Sequence, residues 1–200
     1  MSKKETLQNM GMPNKMFAKI TPVPQADWKK EHIISYSFFT SPFGEMIVAS
    51  MPQGICYVGY MLSHEEGLQE VRNRFPKAVL QLHKDEHHEH VEKLFAGKWE
   101  TGKTLSLYLK GTEFQLKVWE ALLQIPTGSL STYSKICKAI GNPKAQRAVG
   151  TAIGQNPILY IVPCHRVIAQ NGKIGGFYWG TEKKIELLNV ENAGYLHLTS

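Results

Sequence analysis

Residues 112–154 read TEFQLKVWEALLQIPTGSLSTYSKICKAIGNPKAQRAVGTAIG and carry the clearest helical pattern in the chain. Thr112, followed three residues later by Gln115, forms a capping-box pattern at a helix start. Pro126 and Gly128 mark where this helix ends. Between these signals, apolar side chains recur at helical spacing, which predicts a helix with one face in a core: Phe114, Val118, Trp119, Leu122 and Leu123.

Two shorter helices are predicted after this one. The first covers about 132–140 and is closed by Gly141. The second begins with Asn142 as its N-cap and Pro143 in its first turn, where the missing N–H does no harm. Two short helices joined by a tight, glycine-containing turn indicate a helix-turn-helix.

The second short helix is rich in small residues, among them Ala145, Ala148 and Gly150. A helix that reads the major groove of DNA generally needs long polar side chains to reach the base edges. A helix of small residues instead brings its backbone close to a narrow surface, such as a minor groove. Tight helix–helix packing explains the same composition, and both interpretations stay open.

The first half of the chain has a different pattern. Short segments rich in β-branched and aromatic residues alternate with turn signals, which predicts a β-meander over 33–39, 45–50 and 54–60. A helix over 64–74, a strand near 78–82, a polar helix over 83–95 and a strand over 104–109 are expected to follow.

These patterns predict an α/β N-terminal domain with a small antiparallel β-sheet. A mainly helical, winged-helix-like C-terminal domain with a helix-turn-helix is expected to follow it. The expected boundaries are an extended lead-in over 1–31, the first domain over 32–110, and the second domain, with DNA-binding and active-site roles, over 111–200.

Four histidines lie close together in the predicted polar helix: His83, His87, His88 and His90. Two of them stand four residues apart and could share a face suited to a metal ion. No cysteine lies nearby to complete a structural zinc site. We therefore favour a solvated, charged helix.

The three cysteines, Cys56, Cys137 and Cys164, are too few and too scattered for a disulfide framework. We expect Cys56 and Cys137 to pack in the fold. With no secretory signal and no apolar run long enough for a membrane span, the sequence predicts a cytoplasmic protein.

The net charge of +6 is unevenly distributed. Residues 1–102 contain twelve Lys and Arg against twelve Asp and Glu, whereas residues 103–184 contain eleven basic residues against three Glu. A basic second half indicates contact with a polyanion. A basic surface that serves only solubility is the alternative.

The segment from Ile158 onwards contains the candidate chemistry. An apolar strand is predicted over 158–162, and it leads directly into Pro163, Cys164 and His165. A thiol acts as a nucleophile when a neighbouring base or positive charge lowers its pKa from about 8.5. Adjacent strand residues point to opposite faces, so a direct Cys–His bond requires a bend or a bridging water. Pro163 is compatible with a bend.

The string IVPCHRVI (161–168) resembles the active-site signature of the O6-alkylguanine-DNA alkyltransferases. The resemblance extends over residues 114–191, through FQLKVWEALLQIPTGSLSTYSKICKAIGNPKAQRAVGTAIGQNP and NGKIGGFYWGTEKKIELLNVE. Segments 33–60, with TSPFGEMIVAS, are also similar to the N-terminal sheet of that family. The resemblance implies DNA repair by irreversible, stoichiometric transfer of the alkyl group of O6-alkylguanine to the protein, with O4-alkylthymine as a further candidate lesion.

The resemblance also implies a set of catalytic residues. Cys164 matches the alkyl acceptor, and His165 matches the residue that takes the thiol proton through a water. Glu191 matches the carboxylate that orients this histidine. Asn156 matches the asparagine that organises the turn around the site, and Tyr133 matches the phenol that donates to the guanine ring.

Further residues match the contacts that the family makes with DNA. Arg147 matches the arginine that enters the base stack where the damaged nucleotide was, and small residues allow close approach to the minor groove: Ala145, Ala148 and Gly150. The pocket for the extruded base is implied at Tyr133, Val167, Tyr178 and Trp179. The implied partner is double-stranded DNA bound by a monomer, with no cofactor and no metal.

Two other functions compete with this interpretation. A non-catalytic, alkyltransferase-like protein would bind the lesion but has another residue in place of the nucleophile, and the intact Cys164 argues against it. A cysteine hydrolase using Cys164, His165 and Glu191 would turn over, and such enzymes rarely need a basic helix-turn-helix.

Overall fold

The computed structural model describes residues 17–100 and 102–191. They form two compact units, one extending to Gly111 and the other starting at Thr112. In the described residues no helix is both long and apolar enough to cross a bilayer. The strands of the first unit are β1 (Ala18–Pro22), β2 (Ile33–Ser41), β3 (Gly44–Met51), β4 (Gly54–Tyr60), β5 (Val79–Leu82) and β6 (Leu105–Leu109), and its helices are α1 (His64–Arg74) and α2 (Glu86–Phe95).

The first unit contains one six-stranded sheet in the order β1-β6-β4-β3-β2-β5. The predicted meander is present, because β2, β3 and β4 pair antiparallel in sequence. The expectation of a small antiparallel sheet is wrong, since β5 pairs with β2, and β6 with β4 and β1, in parallel. These strands enter the sheet after helical connections, which permit parallel pairing where tight turns do not.

Residues 17–31, expected as part of an extended lead-in, contribute an edge strand instead. β1 pairs with β6 from Ala18 opposite Leu105 to Pro22 opposite Leu109. A five-residue strand among prolines has too short an alternation to be recognised in the sequence, and Pro22 is tolerated because an edge strand has one unpaired side. Residues 1–16 lie outside the described residues.

The two helices of the first unit pack on opposite faces of the sheet. Gly67 of α1 lies against Ile47 of β3, so closely that a β-carbon at this glycine would be 3.2 Å from the Ile47 Cγ2. Ser50 of the same strand points to the other face and contacts α2 through His88. Because α1 and α2 cover opposite faces of the sheet, β3 is buried from Met46 to Met51.

The solvated character expected for α2 holds for one face only: Glu86, Glu89 and Lys93 are exposed, and the opposite face is buried. His88 is completely buried; its Nε2 lies 3.0 Å from the Ser50 Oγ and its Nδ1 3.1 Å from the Ser37 Oγ. Asp85 caps the helix by accepting from the His88 backbone N–H. This imidazole therefore anchors the helix to two strands. The described residues contain no group of three or more His, Cys, Asp or Glu side chains arranged for a metal ion.

The second unit is mainly helical. Its elements are α3 (Glu113–Leu123), α4 (Tyr133–Ala139), α5 (Gln146–Gly154), α6 (Thr181–Val190), and a two-stranded parallel sheet of β7 (Ser131–Thr132) and β8 (Val167–Ile168). The predicted capping box is present, with both reciprocal bonds between Thr112 and Gln115. The Trp119 Nε1 of α3 donates to the Ala152 carbonyl of α5 at 2.8 Å, which joins these helices through a buried bond.

The start of α5 differs from the prediction. Asn142 is not its N-cap, because the Ala145 N–H donates to the Asn142 carbonyl at 3.1 Å and closes a turn. Asn at the first position and Pro143 at the second suit a β-turn as well as a helix start. The helix begins at Gln146, which places Arg147 in its first turn.

Candidate active site

The apolar segment 158–162 is a buried turn rather than the predicted strand. The Asn156 side chain holds it, with its Nδ2 donating to the carbonyls of Ile158 at 3.1 Å and Val162 at 2.8 Å. The Ile158 N–H in turn donates to the Asn156 Oδ1 at 3.0 Å. A short apolar run indicates burial but does not distinguish a strand from a compact turn. The Asn156 side chain, just before the run, makes the backbone hydrogen bonds that a neighbouring strand would otherwise make.

Cys164 follows this turn and opens a 3-10 turn over Cys164–Arg166. Its side chain is buried, with 2% exposure, and the Asn156 Nδ2 donates to its Sγ at 3.1 Å. Burial raises the pKa of the thiol to about 11, although the Asn156 hydrogen bond and the positive charge of Lys184 lower it in part. In the resting protein, desolvation therefore outweighs the effect of these two neighbours on the thiol pKa.

His165 is joined to Glu191, the residue that caps the C-terminus of α6. Its Nε2 lies 3.0 Å from the Glu191 Oε1, and both side chains are buried. The other ring nitrogen, Nδ1, is buried without a hydrogen-bond partner among the described residues. Burial lowers the pKa of His165, while the charge and hydrogen bond of Glu191 act in the opposite direction. When the imidazole is neutral and its Nε2–H donates a hydrogen bond to the Glu191 carboxylate, Nδ1 carries no proton and can accept one.

Arg166 is a member of the site that the sequence did not reveal. Its Nε donates to the Glu191 Oε2 and its Nη2 to the Glu191 Oε1, each at 2.7 Å, and its Nη1 donates to the Ile125 carbonyl at 2.6 Å. Burial would raise the pKa of the Glu191 carboxyl, but His165 and then Arg166 lower it to about 2. The carboxylate facing His165 is thus permanently charged at neutral pH.

Lys184 of α6 is a second unexpected member. Its ammonium donates to the carbonyls of Val167 at 2.7 Å, Ile174 at 2.6 Å and Gly176 at 3.4 Å. Three acceptors match the three N–H donors of an ammonium. Burial lowers the pKa of Lys184 to about 8, and the nearby Cys164 partly opposes this. Lys184 therefore fastens both ends of the 167–176 segment to α6.

Tyr133 lies at the first turn of α4 and is partly buried. Its hydroxyl lies so close to Gly175 that a β-carbon there would be 3.1 Å away, and Gly175 has a φ of 70°. Burial raises the pKa of Tyr133, and the charge of Cys164 adds to the shift. The phenol therefore lies within electrostatic range of the thiol, beside the segment that Lys184 fastens.

The other predicted contacts lie on the surface of the second unit. Arg147 and Ala148 are exposed on α5, and Ala145 and Gly150 are partly exposed. A cleft of about 650 Å³ between the start of α3 and this helix includes Arg147 and Ala148 in its lining. Tyr178 is 50% exposed, and its ring meets Trp179 edge-on, with the centroids 5.1 Å apart.

The basic residues of the second half differ in their surroundings. Arg166 and Lys184 are buried and serve the site, so they do not contribute to an anion-binding surface. Four exposed cations lie on α4, on α5 and in the turn between them, where an anion can reach them: Lys135, Lys138, Lys144 and Arg147. Cys56 and Cys137 are buried, as expected.

Comparison with known proteins places this site in a family. Residues 113–193 match the family described as 6-O-methylguanine DNA methyltransferase, DNA binding domain. A methylated-DNA–protein-cysteine methyltransferase of Methanosarcina acetivorans is 41% identical over 163 residues, which is 79% of this chain and 98% of that protein. An inducible methylated-DNA–protein-cysteine methyltransferase of Bacillus subtilis is 41% identical over 148 residues, covering 72% of this chain and 82% of that protein.

Solved structures agree with the sequence relatives. Mycobacterium tuberculosis OGT in complex with DNA has a TM-score of 0.63 and 34% identity, covering 83% of this chain and 99% of that one. The chain belongs to the methylated-DNA–protein-cysteine methyltransferase family.

Proposed function

We propose that this protein repairs DNA by moving the alkyl group of O6-alkylguanine onto the Sγ of Cys164. The observation that carries the proposal is a pair of buried contacts made by adjacent residues, Asn156 with Cys164 and His165 with Glu191. A buried thiol that touches an amide donor lies one residue from an imidazole with a free ring nitrogen. Burial keeps the thiol protonated in the resting protein, and the imidazole that can take its proton belongs to the next residue.

The partner is double-stranded DNA. The alkylated oxygen is buried in a duplex, so the nucleotide must leave the stack, at a cost of a few kcal/mol. Helices α4 and α5 act as the helix-turn-helix, with the small residues of α5 against the minor groove. Arg147, exposed in the first turn of α5, fills the gap that the nucleotide leaves. The neighbouring exposed lysines bind phosphates as a monomer approaches.

The extruded base enters beside Tyr133 and the 167–176 segment. Lys184 fixes the Val167 carbonyl and the far end of this segment, so the pocket is formed before the base arrives. Tyr178 and Trp179 form the outer part of the pocket. Preorganised polar groups of this kind stabilise the charge that develops on the leaving base.

The reaction moves one alkyl group and one proton. The Cys164 thiol gives its proton through a water to the His165 Nδ1, and Glu191 stabilises the imidazolium through Nε2. The thiolate attacks the alkyl carbon, the carbon–oxygen bond breaks, and guanine leaves with its electron pair. Tyr133 donates a hydrogen bond to the ring as negative charge develops. The thioether has no good leaving group, so each molecule reacts once and needs no cofactor.

The test uses the three cysteines of the chain. We expect an oligonucleotide with one O6-methylguanine to lose its methyl group to the parent protein and to the Cys56→Ser and Cys137→Ser variants, but not to Cys164→Ser. The control variants change equally buried thiols outside the site. Transfer that persists in Cys164→Ser would refute the proposal, as would lesion binding by the parent without any transfer.

A further inference from the structure

The ring of Tyr160 lies almost parallel to the imidazole of His165. Their centroids are 5.5 Å apart, the planes differ by 12°, and neither side chain is exposed. Parallel, offset rings at this distance attract one another. A cation within about 6 Å of an aromatic ring face is stabilised by the ring's electrons. The stack therefore has the geometry to favour a charged imidazole.

The backbone at Tyr160 is unusual for such a residue. Its φ is 69°, and no other non-glycine residue in the two described stretches of the chain has a positive φ. Asn156 holds the turn on both sides through the carbonyls of Ile158 and Val162. Glycine or asparagine would adopt this conformation with less strain. The turn alone therefore does not explain a buried tyrosine, and strain of this kind is common at functional sites.

The groups around His165 differ in whether they favour the protonated form of its imidazole. Burial, Arg166 and Lys184 all disfavour a second positive charge on the ring, and Glu191 favours it. Cys164 delivers the proton in the proposed reaction, and burial raises the pKa of the Tyr160 phenol, which keeps that ring uncharged. An uncharged ring face against the imidazole adds stabilisation without introducing another charge.

We propose that Tyr160 is a positioning residue of the proton relay. Its ring holds the His165 imidazole in the plane that directs Nε2 to Glu191, and its face stabilises the imidazolium that forms when the thiol is deprotonated. The inference rests on the proposed function, since it assigns a support to the base of that reaction. Tyr160 acts only through His165.

The experiment compares two rings of nearly the same shape in the full chain. Tyr160→Phe keeps the electron-rich face, and pentafluorophenylalanine at position 160 reverses its electrostatic sign. The rate constant of methyl transfer from an O6-methylguanine oligonucleotide is measured against pH. We expect Tyr160→Phe to stay within about twofold of the parent and the fluorinated variant to react roughly tenfold more slowly, with its acidic limb at lower pH.

A second measurement does not depend on transfer. NMR titration of His165 in the DNA-free protein should show a lower imidazole pKa in the fluorinated variant than in Tyr160→Phe. Equal pKa values and equal pH–rate profiles in these two variants would overturn the inference, and so would an equal loss in both. If the parent transferred no methyl group, the proposed function would fail, and the titration would still decide the role of the ring.

Discussion

Replacing Arg166 by Met tests how strongly the buried carboxylate of Glu191 depends on its cation. The change removes both 2.7 Å bonds to Glu191 and the bond to the Ile125 carbonyl while keeping most of the side-chain volume. Removing one partner of a buried ion pair costs about 3–5 kcal/mol. His165 and then Arg166 lower the pKa of the Glu191 carboxyl to about 2, so Arg166 accounts for part of the stabilisation of this charge. We therefore expect the free energy of unfolding to fall by about 3–5 kcal/mol.

The assay is urea unfolding of the DNA-free protein at neutral pH, with Glu191→Gln and the double variant measured alongside. The neutral amide removes the isolated charge, so the double variant should be less destabilised than the sum of the two single variants. In the parent, a carboxyl with a lowered pKa contributes stability above pH 4.5 that is lost as the pH falls towards 2. A loss below about 1 kcal/mol for Arg166→Met, or strictly additive variants, would refute the reasoning.

Three further changes address the pocket and the DNA contact. Lys184→Met should slow methyl transfer roughly tenfold and leave DNA affinity within about twofold of the parent, because it frees the 167–176 segment without changing an exposed charge. Single-turnover kinetics and a binding titration measure the two effects, and an unchanged rate would contradict the prediction. Arg147→Ala should slow transfer from duplex DNA by tenfold or more, yet leave transfer from a free methylated base unchanged, since only the duplex requires a group to fill the stack; equal losses on both substrates would argue against an intercalating role. Trp179→Gly should speed inactivation by benzylated free guanine if the indole narrows the pocket, and rapid inactivation of the parent would defeat that idea.

Helix starts with local signals were predictable from sequence. The capping box of Thr112 and Gln115 places α3 correctly, and α1 spans the expected residues 64–74. Sequence patterns that are compatible with two different local structures led to wrong predictions. Asn142-Pro143 suits both a helix start and a β-turn, and the apolar run 158–162 suits both a strand and a buried turn. Hydrogen bonds that span only a few residues decided these cases, and the residue pattern alone does not specify them.

The sequence resemblance pointed to the residues of the proposed proton relay. The buried cations were missed because charge counts assign Lys and Arg to the surface. Their positions contained a signal: Lys184 precedes Leu187 and Leu188 at helical spacing, which places it on the apolar face of α6. Arg166 likewise lies within an otherwise apolar segment. A cation inside an apolar pattern is expected to have buried acceptors.

The intact mass of the reduced protein, measured after incubation with an excess of O6-methylguanine duplex, tests the central claim most directly. We expect a gain of one methyl group per molecule, located on the peptide that contains Cys164, with no further gain as DNA is added. An unchanged mass, a methyl group on another residue, or more than one lesion repaired per protein molecule would contradict the account.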